Sequence, residues 1–219
     1  MTLIIGIDDA GRGPVLGPMI LAGVLIEEKE NGILQKWGAK DSKILTPKQR
    51  GDIREKIISR FKYHIEQTEP IEIDESSNLN YLEAIKTAKI INKLTENLKE
   101  LVKVIIDCPS VNIKSWTLDV QKLINKPEII SLSCEHKADA NHPVVSAASI
   151  VAKERREDEM YKLRLKFKKD FGSGYPADPK TKIFIKENFN NPKYKSIIRF
   201  SWKTVKKLIE ETDQQKLFQ

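Results

Sequence analysis

The sequence predicts an α/β domain with a helical C-terminal extension. Two observations carry that reading: apolar strand-like runs alternate with stretches of helical periodicity, and a long helical stretch is followed by two shorter ones after the loop GSGYPADP. No internal repeat or low-complexity linker interrupts this order. LIIGID reads as a buried strand and PMILAGVLI as a second, joined through a tight turn into a hairpin. In TPKQRGDIREKIISR, Thr46 sits as an N-cap and Pro47 at the first helical position, and FKYHIEQ then alternates as a third strand. Apolar residues recur at helical spacing from Asn78 to Leu98, LVKVIID and EIISLSC read as two more strands, and a long helix is expected from Asn141 to Phe171.

At 219 residues, with 40% apolar and 32% charged residues, the chain has the composition of a globular protein with one sizeable core and a small appendage. No apolar stretch is long enough to span a bilayer, and the opening residues lack a basic region followed by an apolar one, so a cytoplasmic protein with no membrane partner is expected. Cys108 and Cys134 form no CxxC pair and are read as reduced, semi-buried thiols. Lysine and arginine number 38 against 31 acids, a net charge of +7, and KFKKDF, KYKSIIRF and WKTVKKL concentrate cations in the C-terminal third. Such a surface suits a polyanion, but a solvated lysine-rich face has the same composition, and charge alone does not choose.

The acids are more informative. Asp8 and Asp9 end the first strand, Asp107 ends LVKVII, and Asp139 follows EIISLSCEHKA just before the long helix. Carboxyl ends of strands in an open α/β sheet converge on the ligand crevice, so four carboxylates can meet there. Taken singly, an Asp after a strand is commonly a turn former or helix cap. An adjacent pair on a buried strand is harder to explain that way, because strand alternation sends one acid to each face. A carboxylate cluster repels itself unless cations are shared, and it suits hard divalent ions, which in pairs roughly 4 Å apart drive in-line attack on phosphodiesters. Along the long helix, Ser146, Ser149, Lys153 and Arg156 form one polar stripe on an otherwise apolar stretch, which points to a crevice.

The segments GIDDAGRGPVLGPM, AKDSKILTPKQR, VIIDCPSVN, HKADANHPVVSAASIVAKERR, GSGYPADPKT and RFSWKTV together resemble the ribonuclease HII family, in its archaeal form, in family order from residue 6 to 205. The resemblance implies an RNase H-like fold, a five-stranded mixed sheet flanked by helices, with a catalytic domain over residues 1–180 and a helical substrate-binding extension over 181–219. It implies an endoribonuclease that cuts the RNA strand of RNA–DNA hybrids and single ribonucleotides embedded in duplex DNA, using two Mg²⁺ or Mn²⁺ ions and leaving 3′-OH and 5′-phosphate ends. A monomer is expected. Asp8, Asp9, Asp107 and Asp139 are its metal ligands and catalytic acids, Asp8 shared by both ions, Asp9 and Asp107 on one and Asp139 on the other. Gly11, Arg12 and Gly13 read the ribose 2′-OH, and Tyr175 packs on the following deoxyribose. Ser146, Lys40, Lys43, Lys137, Lys153 and Arg156 are assigned to the substrate, the basic residues to its phosphates, and Arg199 and Trp202 to structure.

One position departs from the family, whose opening pattern is GIDEAGRG: here Asp9 stands in place of Glu. The shorter acid can misplace a metal by about 1 Å, a shift that costs on the order of 10²-fold in rate. A rival reading is therefore a hybrid-binding protein whose catalysis Asp9 impairs. A phosphate-loop enzyme using GRGPVLG lacks the Gly-Lys-Ser/Thr ending that such a loop needs.

Overall fold

A computed structural model of the chain describes residues 2–39 and 45–217. In chain order the elements are β1 (Leu3–Ala10), β2 (Met19–Glu27), α1 (Asn31–Lys36), α2 (Pro47–Arg60), β3 (Lys62–Thr68), α3 (Pro70–Glu75), α4 (Leu79–Thr95), β4 (Val102–Asp107), α5 (Ile113–Gln121), β5 (Ile130–Glu135), α6 (Ala138–Asn141), α7 (Pro143–Phe167), α8 (Pro179–Asn188) and α9 (Lys203–Leu217). The strands form one sheet in the order β3-β2-β1-β4-β5, with β1 antiparallel to β2 and parallel to β4, and β4 parallel to β5. This is the mixed five-stranded sheet flanked by helices that the sequence predicts. Among the described residues, no helix is long and apolar enough to cross a membrane.

The chain divides into two compact units, the first made of residues 1–10, 20–67 and 78–155, the second of 11–19, 68–77 and 156–219. Residues 181–219 thus lie wholly in the second unit, together with the loop after β1, α3 and the end of α7.

In the first unit β1 and β4 are mostly apolar and buried, with Lys103 the exposed exception on β4, because both faces of the central sheet are covered. Even-numbered residues of β1 face α7 and α2: Ile4 and Ala10 belong to one core cluster with Ile53, Ile57, Val144, Ala148 and Val151. Gly6 has no room for a side chain, since a Cβ there would meet the backbone of Val144 and Val145. That close approach of α7 to β1 sets the height of the helix over the carboxyl end of the strand. The N-terminus of α2 forms as expected, with the Thr46 hydroxyl accepting from Gln49 N–H at 3.3 Å and Pro47 next in line.

Three expectations are corrected. The link between β1 and β2 is no tight turn but an eight-residue loop, because Val15 and Leu16 are apolar and fully buried in the second unit's own core with Phe171, Phe184 and Ile198. The expected helix from Asn141 is broken at His142, which stands extended before Pro143, and a separate short α6 precedes it. Its far end comes at Phe167, where Lys168 takes a left-handed conformation, φ 51°.

Candidate metal centre and glycine-loop site

Asp8 and Asp107 occupy equivalent places on neighbouring parallel strands, each one residue beyond the paired Ile7 and Ile106. The parallel register and the shared strand direction bring both acids to the carboxyl edge of the sheet. Asp139 arrives from α6, where Lys137 in a left-handed conformation (φ 59°) turns the chain back after β5. The Ala138 N–H donates to Asp107 Oδ1 at 3.2 Å, so the α6 turn is tied to β4. Its other end is tied to β5: His142 Nε2 lies 3.1 Å from Glu135 Oε1, and His142 N–H donates to the Ala138 carbonyl at 2.9 Å. Carboxylate oxygens of Asp8, Asp107 and Asp139 consequently all lie within 4.8 Å of one another.

Three carboxylates at that range, with no sulfur or imidazole in the set, are a donor set for a hard divalent cation. The electrostatics agree. Asp8 is buried, and its pKa is held well above the ordinary value of 3.8, first by burial and then by the negative charge of Asp9, with Asp107 adding to it. The Ser149 hydroxyl and the Asp9 N–H, 2.7 Å from Asp8 Oδ1, offset part of this by hydrogen bonding. A divalent ion would relieve the remainder.

Asp9 is not in the three-acid set. Strand alternation sets it opposite Asp8, yet with Asp8 and Asp107 it lines one cavity of about 10 Å³ closed by Glu83, Thr87 and Trp116. Glu83 and Thr87 are one turn apart on α4 and fully buried, a pairing that sequence reading passed over. A charged residue at an apolar-spaced position of α4 was the available signal. Ser149 belongs to the polar stripe read from the sequence and reaches Asp8, while Ser146, on the same stripe, is buried with its hydroxyl unsatisfied among the described residues. Lys137 is exposed and Lys153 half-buried. Lys40 and Lys43 lie outside the described residues.

The second unit holds the glycine loop. Gly11 has φ +84°, and a Cβ there would collide with the Arg156 side chain. Arg156 is 4% exposed, donates from Nη2 to the Ser173 carbonyl at 3.0 Å, and sets its guanidinium 5.3 Å from the centre of the Tyr175 ring. The ring itself is 44% exposed. Arg156 thus sits inside, between Gly11 and Tyr175, while Arg12 is half-buried and Gly13 exposed.

The chain's similarity to known proteins matches this geometry. A family model described as Ribonuclease HII covers residues 5–205. A ribonuclease HII of Methanococcus maripaludis is 41% identical over 99% of this chain and 91% of its own length. The crystal structure of ribonuclease H2 from Pyrococcus horikoshii superposes with a TM-score of 0.83 at 37% identity, covering 95% of this chain and 98% of that one. The ribonuclease HII of a PCNA complex from Archaeoglobus fulgidus gives 0.81 at 34% identity, covering 94% and 96%. With a family match over residues 5–205, a shared fold and a cluster of three aspartates, two from neighbouring strands and one from α6, this chain belongs to the ribonuclease HII family, metal-dependent hydrolases of the RNA in RNA–DNA hybrids.

Proposed function

We propose that the protein cuts the RNA strand of RNA–DNA hybrids and also single ribonucleotides embedded in duplex DNA, by hydrolysis with two divalent ions, Mg²⁺ or Mn²⁺, that leaves a 3′-OH and a 5′-phosphate. The observation that carries the chemistry is the convergence of Asp8, Asp107 and Asp139 within 4.8 Å. When bound, the ions supply Lewis-acid stabilisation of the phosphate and a water that ionises more readily. The protein's part is to hold them. Asp8 is assigned to both, Asp107 and Asp9 to one and Asp139 to the other, with Ser149 keeping the Asp8 carboxylate oriented. The P–O3′ bond breaks, the water's oxygen ends on the new 5′-phosphate, and a proton goes to the 3′ oxygen.

Substrate choice is assigned to the second unit. Gly11 and Gly13, lacking Cβ atoms, let backbone approach a ribose 2′-OH, and the exposed Tyr175 ring, backed by Arg156, stacks on the deoxyribose that follows. Lys137 and Lys153 are assigned to phosphates. Residues 181–219 act as the substrate-binding extension, which the exposed Lys182, Lys186, Lys203, Lys206 and Lys207 support. The test is cleavage of a DNA duplex containing one ribonucleotide, with Mg²⁺, Mn²⁺ or chelator, and with both new ends mapped. Metal-dependent scission beside the ribonucleotide, with 3′-OH and 5′-phosphate ends, is the expected result. Tight binding without cleavage would favour the second reading, a hybrid-binding protein, for which the position of Asp9 outside the three-acid set is the specific support.

A further inference from the structure

The RFSW segment, residues 199–202, holds the carbonyl of every residue in the GRG triplet. Arg199 is fully buried, and its guanidinium donates from Nη2 to Gly11 O at 2.7 Å, from Nη1 to Arg12 O at 3.0 Å and from Nε to Gly17 O at 2.9 Å. The Trp202 indole N–H donates to Gly13 O at 3.0 Å, and its ring lies 5.0 Å from the Arg199 guanidinium. Backbone pairing continues the contact, from Arg199 N–H to Val15 O and from Gly17 N–H to Ile197 O, both at 2.9 Å. Asp74 on α3 in turn pins the segment, accepting from Phe200 N–H and Ser201 N–H at 2.8 Å and from the Ser201 hydroxyl at 2.6 Å.

A core arginine needed only for packing would be replaceable by an apolar side chain, and burying a guanidinium is costly unless its donors are matched. Here the planar fork spans both legs of the loop, from Gly11 and Arg12 to Gly17, a match that lysine's single ammonium cannot reproduce. Gly11 and Gly13 on their own give the loop the most conformational freedom a backbone can have. A loop that reads one hydroxyl must be fixed within a fraction of an ångström.

We infer that Arg199 and Trp202 are positioning residues that fix the GRG backbone and thereby set the preference for a ribonucleotide over a deoxynucleotide. The inference rests on the reading that this loop recognises the ribose. Its test compares single-turnover cleavage of a duplex with one ribonucleotide against the inhibition constant of an all-DNA duplex, for the wild type, Trp202→Phe and Arg199→Lys. Trp202→Phe keeps an aromatic ring and removes the donor to Gly13. The ratio of DNA inhibition constant to half-saturating ribonucleotide substrate should fall roughly tenfold in Trp202→Phe, the scale of one lost hydrogen bond, and on the order of 10²-fold in Arg199→Lys. The DNA inhibition constant itself should stay put, which a general loss of structure would not allow. If Arg199→Lys does not fold, Trp202→Phe decides alone. A wild-type preference that survives in a folded Trp202→Phe overturns this inference and leaves ribose reading intact. A wild type with no preference removes the ribose reading and this inference with it.

Discussion

Lengthening Asp9 by one methylene tests the position at which the sequence differs from the GIDEAGRG pattern that the resemblance implies. Asp9 stands outside the set formed by Asp8, Asp107 and Asp139. Asp9→Glu extends its carboxylate by about 1 Å, and a shift of that size at a reacting centre is worth on the order of 10²-fold, or about 2.7 kcal/mol of barrier. The cavity beside it, about 10 Å³ between Glu83, Thr87, Asp107 and Trp116, is one water-sized space. The longer acid fits there or displaces its walls at roughly 1–3 kcal/mol of stability. Single-turnover cleavage should therefore speed up by as much as about 10²-fold, with substrate affinity unchanged because the gain belongs to the transition state. Mn²⁺, which tolerates less regular oxygen coordination, should narrow the gap between the two proteins. A Glu variant that keeps the wild-type Tm yet gains nothing with either ion would refute the reasoning, and the centre would then be one built around the shorter acid.

Three further outcomes are expected. Asp8 has a raised pKa in the folded protein, so in chelator its burden on stability appears as pH climbs from its ordinary value of 3.8 through that raised value. Asp8→Asn should accordingly raise Tm without metal by an amount that grows across that window, read by thermal scans from roughly pH 4 to 8, and a difference independent of pH would show that the charge is not the cause. Binding to an RNA–DNA hybrid should weaken steeply with salt, about 10³-fold or more between 50 and 200 mM if six or more lysines meet phosphates; a flat response removes the phosphate role of the extension. Tyr175→Ala should slow cleavage at a lone ribonucleotide about tenfold more than cleavage within a long hybrid, in line with one lost stacking contact, and equal losses would make the ring structural.

β1, β2 and β4 were legible as mostly apolar runs set by burial, β3 and β5 as alternating stretches, and the acids of β1 and β4 were legible because those two strands run parallel in register. The cap at Thr46 is a local signal and was equally plain. What escaped the sequence is non-local. Nothing near Gly11 announces that Arg199, 188 positions away, donates to its carbonyl, so Arg199 and Trp202 read as structural only. Arg156 read as a phosphate-contacting cation on a crevice-facing stripe, since helical spacing cannot tell that its side chain would be buried in the space Gly11 vacates. Val15 and Leu16 were present as apolar residues in an expected turn, and their burial in a second core explains why the loop is longer than a hairpin needs. The helix of α5, capped by Asn112 with Trp116 and Val120 buried one turn apart, was readable in principle and went unmarked because it lies between two stronger strand signals.

If Asp8, Asp107 and Asp139 hold the divalent ions that make this protein a nuclease, removing one of their charges must stop the chemistry. Asp107→Asn is the most direct test, because the amide keeps the shape of the side chain and the acceptor for the Ala138 N–H while the charge is lost. Wild type and variant are compared on one duplex containing a single ribonucleotide, measuring cleavage with Mg²⁺ or Mn²⁺ and hybrid binding in chelator. Cleavage should vanish in the variant, and in wild type with chelator, while hybrid affinity stays within about twofold, since phosphate contacts use other groups. An Asp107→Asn protein that cleaves at the wild-type rate would contradict the metal-centre assignment.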